Sequence, residues 1–81
     1  MDKFDIWVMN DTTLETHRMK ASSITTGKEV VQIVCSRMTD LKPADYILTL
    51  RGIVMPLWAH LGLQEGAVGG QFKLVSLITK I

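Results

Sequence analysis

Cys35 is the only thiol in this chain of 81 residues. One cysteine cannot close an internal disulfide, so the cross-linked framework of small domains in oxidising compartments is excluded, and a cytoplasmic or nuclear location is expected. Charge of one sign is equally scarce. Nine Lys and Arg against eight Asp and Glu leave a formal net charge of +1. Composition therefore supplies no strong field for nucleic acid or an anionic membrane, and neither is expected as a partner. No apolar run approaches the ~20 residues of a membrane span. The opening MDKFDIWVMND is acidic and interrupted by charge, unlike a secretory signal. Without internal repeats, low-complexity tracts or linkers, residues 1–81 are expected to form a single domain. What the chain does have is apolar content: 47% hydrophobic against 21% charged residues, enough to fold around one core rather than stay disordered.

Periodicity divides the chain into elements. In KFDIWVM, Phe4, Ile6 and Val8 alternate with Asp5, Trp7 and Met9, the period of a half-buried strand. Asn10 and Asp11 can bend the chain through local side-chain hydrogen bonds. LETHRMKA then returns as a second strand whose sparse apolar residues predict a bulge or an edge position. Thr26 and Glu29 form a capping box that opens the helix GKEVVQIVCSRM. Its apolar stripe is Val30, Val31, Ile33, Val34, Cys35 and Met38, with Lys28, Gln32, Ser36 and Arg37 opposite. Pro43 bars helical continuation through TDLKPAD. DYILTLRG is a third strand ending in the turn glycine Gly52. Pro56 excludes a central strand, so the next segment is read as a short edge strand over 53–55 and a helical turn over 58–61. QFKLVSLITKI closes the sheet, with Phe72, Leu74 and Ser76 alternating against Lys73, Val75 and Leu77.

Catalytic chemistry is thin. LGLQEGAVGGQ holds four of the six glycines. A phosphate cradle runs from a strand through glycines into a helix, whereas this loop enters a strand and carries no GK[ST], so it reads as a structural turn. Cys35 with His17 or His60 could suggest a nucleophile and base, but Cys35 lies in the helix's apolar stripe, where a thiol is inert. His17, Cys35 and His60 lack the paired spacings of zinc sites. No reaction, metal or cofactor is assigned.

The hairpin, the helix TTGKEVVQIVCSRM, its exit into DLKPADYILTLRG and the final LGLQEGAVGGQFKLVSL together resemble the ubiquitin-like family in order and spacing, over nearly the whole chain. That resemblance implies an α+β fold, the β-grasp roll, in which a mixed sheet of order ββαβ, short helical turn, β packs on one helix. The connection around 55–58 is shorter than the family's usual one. The family's conjugated modifiers and sulfur carriers need a C-terminal Gly-Gly. A chain ending LVSLITKI is therefore expected to be of the non-conjugated type. Thr49 stands where the family has a key aliphatic residue for ubiquitin receptors, Lys73 replaces a common histidine, and Val75 is retained, so standard ubiquitin receptors are not the expected partners.

The expected function is non-catalytic protein–protein interaction through the outer sheet face. If Phe4, Ile6 and Val8 face the helix, then Trp7, Met9, Ile47, Thr49, Lys73, Val75 and Leu77 face away. Exposed apolar breadth of that kind marks binding surfaces, and Trp is favoured at hot spots. The same face could support a weak homodimer; a different strand register or the C-terminal tail could instead cover it. The alternative follows from Ras-association domains, which resemble the same fold: Arg18 and Lys20 of strand two with Lys28 and Arg37 of the helix would bind a small GTPase by β-addition and charge steering. A charged edge that resists aggregation is the plainer account of those residues.

Overall fold

A computed structural model describes residues 3–38, 41–64 and 66–77. Five strands form one mixed sheet in the order β2-β1-β5-β3-β4, with β1 Lys3–Asn10, β2 Thr16–Ser22, β3 Tyr46–Leu50, β4 Ile53–Met55 and β5 Gln71–Ser76. Helix α1, Gly27–Arg37, lies across one face. β1 and β5 run parallel at the centre, while the β1–β2, β3–β5 and β3–β4 pairs are antiparallel. This is the α+β β-grasp arrangement expected of the sequence.

Each element follows from local chemistry. Asn10 bends the chain after β1: its Oδ1 accepts from the backbone N–H groups of Thr12 at 2.8 Å and Thr13 at 3.2 Å. Asp11 is part of the turn, but its side chain lies 3.8 Å from Lys73 Nζ and does not hold the bend. Leu14 adopts a left-handed φ of 66°, so β2 begins at Thr16 and not at Leu14. β2 is an edge strand, as its weak pattern predicts. The capping box forms as read, with Thr26 Oγ1 accepting from Glu29 N–H at 3.3 Å and Glu29 Oε1 accepting from Thr26 N–H at 3.3 Å. The helix stops at Arg37, before Pro43 can act; Met38 is its extended C-cap, and Pro43 instead opens a 3-10 turn, Pro43–Asp45. Arg51 and Gly52 have φ of 56° and 79°, the two left-handed residues a tight two-residue hairpin needs between β3 and β4.

The 58–61 turn is displaced. A 3-10 turn forms over Leu61–Leu63, after a separate turn at Leu57 and Trp58 in which Ala59 N–H donates to Pro56 O at 3.0 Å, and the backbone around that turn is docked on the helix N-terminus. Gly27 N–H donates to Ala59 O at 3.2 Å and Lys28 N–H to Leu57 O at 2.8 Å, which satisfies donors that the first helical turn leaves free.

The core lies between α1 and the inner sheet face. Ile6, Val8, Leu48, Phe72 and Leu74 meet Val30, Val31, Val34, Cys35 and Met38, with Leu61 closing one end. Ile33, expected in the stripe, is 38% exposed.

Candidate interaction surface

Strict alternation fixes the outer face of the sheet. Trp7, Met9, Ile47 and Val75 are half-buried there, while Lys73 and Leu77 are exposed. Register sets their spacing: Ile47 pairs directly with Val75, Thr49 with Lys73, Met9 with Lys73, and Trp7 with Gln71. Trp7 therefore sits four β5 positions from the Ile47–Val75 pair, about 13 Å along the strands. Lys73 stands between them, its Nζ 3.8 Å from Asp11 Oδ1. The expected patch thus has the Ile47–Val75 pair at one end and Trp7 at the other, with Lys73 in the row between them flanked by Met9 and Thr49. Thr49 is only 9% exposed, and its Oγ1–H points to Lys73 O at 3.5 Å, so it supports the face more than it offers contact area. Leu77 follows β5 with its N–H on Asp45 O at 2.8 Å. The C-terminal tail, named as a cover for this face, falls at residues 78–81, outside the described residues.

The glycine loop builds one wall of this surface. Gly66 and Gly69 have positive φ, and Gly70 is packed so closely that a Cβ would collide with Gly66 O and lie 3.0 Å from Ala67 O. Gly70 O in turn accepts the Trp7 N–H at 3.1 Å. Loop packing and the seating of Trp7 are therefore joined by one hydrogen bond. Between the loop, β1, the start of β5 and the 51–52 turn lies a groove of about 860 Å³.

Of the four cations of the alternative reading, three meet at the β2 edge and Lys28 stands apart. Arg18 and Lys20 share the outer face at the β2 edge, opposite Trp7 and Asp5, and Lys20 Nζ is 2.9 Å from Asp5 Oδ1. Arg37 reaches the same edge from the helix end, where its guanidinium donates to Arg18 O at 2.9 Å. Lys28 is in the first turn of α1, nine residues from Arg37 and so roughly 13 Å along the axis. Arg37 therefore occupies an edge acceptor that an added strand would need.

Of the groups considered for catalysis, Cys35 is buried, and burial raises its pKa and keeps the thiol protonated. His17 pairs with Glu15 at 2.5 Å, and His60 Nδ1 lies 2.8 Å from Ile24 O. Among the described residues no group of three His, Cys, Asp or Glu is arranged to hold a metal, and no helix is long and apolar enough to cross a membrane. The most exposed aromatic is one the pattern did not single out: Trp58, 79% exposed beside Pro56 and Leu57. The proline that precludes a strand there was the only signal that its side chain would be left out of the sheet.

Neither a protein-family model nor a curated protein matches the sequence. Solved structures do. A ubiquitin from Caldiarchaeum subterraneum aligns with a TM-score of 0.82 at 19% identity, covering 98% of this chain and 99% of that one. A protein described by its molecular mimicry of SUMO, which promotes DNA repair, aligns at 0.79 with 13% identity over 93% and 92% of the two chains. A de novo design based on ubiquitin aligns at 0.81 with 13% identity over 96% and 93%. At such identities the likeness is one of fold: the chain has the β-grasp fold of ubiquitin.

Proposed function

We propose that this ubiquitin-like domain is a non-catalytic protein-interaction module that engages a partner protein through its outer sheet face. One observation carries the reading. Three adjacent strands leave Trp7, Met9, Ile47 and Val75 half-buried on the side away from the helix, and no described element packs over them. A sheet whose inner face already supplies the core has no folding need for that apolar surface, so a partner is its natural cover. The expected contacts are Trp7, Ile47 and Val75, with Met9, Lys73 and Leu77 around them and Thr49 beneath. Small domains of this fold are in general non-catalytic, and the buried, protonated Cys35 agrees with that.

The small-GTPase alternative finds less support. It would need Arg37 to leave the Arg18 carbonyl and Lys28 to act from the far end of the helix.

Affinity capture with wild type and Trp7→Ala, both first shown to fold by circular dichroism, tests the reading. The variant should lose its partners; partner lists unchanged both for it and for Val75→Asp would sink the proposal. Sedimentation of the wild type reports whether the partner is a second copy.

A further inference from the structure

The two ends of the outer face differ in chemistry. The Ile47–Val75 end is a plain aliphatic pair. The Trp7 end opens into the groove of about 860 Å³, whose apolar walls are Trp7, Met9 and Val68 and whose charged lining is Arg51 and Lys73. Among the described residues no carboxylate lines it. The Arg51 side chain packs against Gly66, and neither it, the Trp7 indole N–H nor the Gln71 carboxamide has a hydrogen-bond or ion-pair partner among the described residues. Arg18 stands across from Trp7 in register and adds a cation at the rim. The nearest acid on this face that faces a lining cation is Asp11, 3.8 Å from Lys73 Nζ.

A site with idle donors, excess positive charge and an apolar floor calls for a ligand with the opposite set. We propose that this groove takes an extended segment of a partner protein in which Asp or Glu residues flank an aliphatic or aromatic side chain. The apolar side chain lies against Trp7, Met9 and Val68, where an aromatic anchor gains most from being desolvated. The carboxylates reach Arg51, Lys73 and Arg18, guanidinium being suited to bidentate carboxylate contact. Opposed charge steers the encounter. Nucleic acid fits less well, since Asp5 and Asp11 share this face and the whole chain carries only +1. The assignment rests on the interaction-module reading and narrows it to one end of the face and one class of sequence.

A displayed library of random linear peptides, selected on the wild-type protein, tests it. The enriched sequences should place acidic residues around an apolar one. The best peptide, made with a fluorescein label and titrated by anisotropy, should weaken at least about tenfold on Trp7→Ala. It should also weaken on Lys73→Glu and on Arg51→Asn, asparagine being tolerant of the left-handed backbone at that position, and with added salt. Should Trp7→Ala lower the melting temperature, Lys73→Glu, whose side chain is exposed, carries the test. Enrichment of neutral or basic peptides, binding indifferent to all three substitutions, or displacement of the peptide by a single-stranded oligonucleotide would overturn the assignment. Partner capture separates the two levels: loss on Val75→Asp with retention on Trp7→Ala removes the groove and keeps the module, whereas retention on both removes the module.

Discussion

Phe72 and Lys73 follow one another along β5 and end on opposite sides of the sheet, and the same contrast recurs at Leu74 and Val75. On the inner face Ile6, Val8, Leu48, Phe72 and Leu74 are at most 1% exposed, sealed by α1. On the outer face the alternating residues are half-buried or open, although several are as apolar as their inner neighbours. The difference teaches that hydrophobicity alone does not say what a residue is for. Apolar area covered by the domain itself stabilises the fold, and apolar area left over is available to something else.

Substitutions on the two faces should therefore separate stability from binding. The largest effect belongs to the inner face: Phe72→Ala should cost about 3–5 kcal/mol in urea-unfolding free energy, a large share of a small domain's stability. Next comes the loop that joins the faces. Gly70→Ala forces a methyl against Gly66 O and Ala67 O; about 1–3 kcal/mol should be lost, together with a shift in Trp7 fluorescence, since Gly70 O holds the Trp7 N–H. Unchanged Trp7 emission would show that loop and face are uncoupled. On the outer face, Val75→Ala should cost at most about 1 kcal/mol and yet reduce partner capture; a variant that unfolds would erase the contrast altogether. The smallest effect is one of pH. Because burial raises the Cys35 pKa, the protonated thiol is favoured in the folded state, so its contribution is complete below the ordinary cysteine value of about 8.5. It fades as pH rises through the raised folded value. Wild type should lose stability above pH about 8.5 more steeply than Cys35→Ala, measured by unfolding curves across that range.

Much of the inner face was legible in the residue order. Alternation in β1, β3 and β5, the Thr26–Glu29 capping box and the Arg51–Gly52 turn are local signals, complete within a few residues. The misplaced 3-10 turn was not local: the 57–60 segment is held by donors of the helix N-terminus some thirty residues away, and pairing across that separation leaves no periodic trace. The outer face was legible as a list and not as a map. Which residues point outward follows from the period of two, but the gap between Trp7 and Val75 depends on how β1 and β5 slide past one another, and only the parallel register sets it. That Arg51 and Gln71 have side-chain donors without a partner among the described residues depends on the same register and on the glycine loop. Trp58 stayed hidden because no pattern distinguishes an aromatic that closes a core from one that leaves it.

Gly70 has one more effect, on how such a protein drifts over generations. Its carbonyl aligns β1 and its Cα has no room for a side chain, so substitution there is penalised whatever the partner is. Trp7, Val68 and Lys73 are free to change together with the ligand. Across descendants the invariant positions would then mark the loop that shapes the groove, and the residues that touch the ligand would be the variable ones beside it.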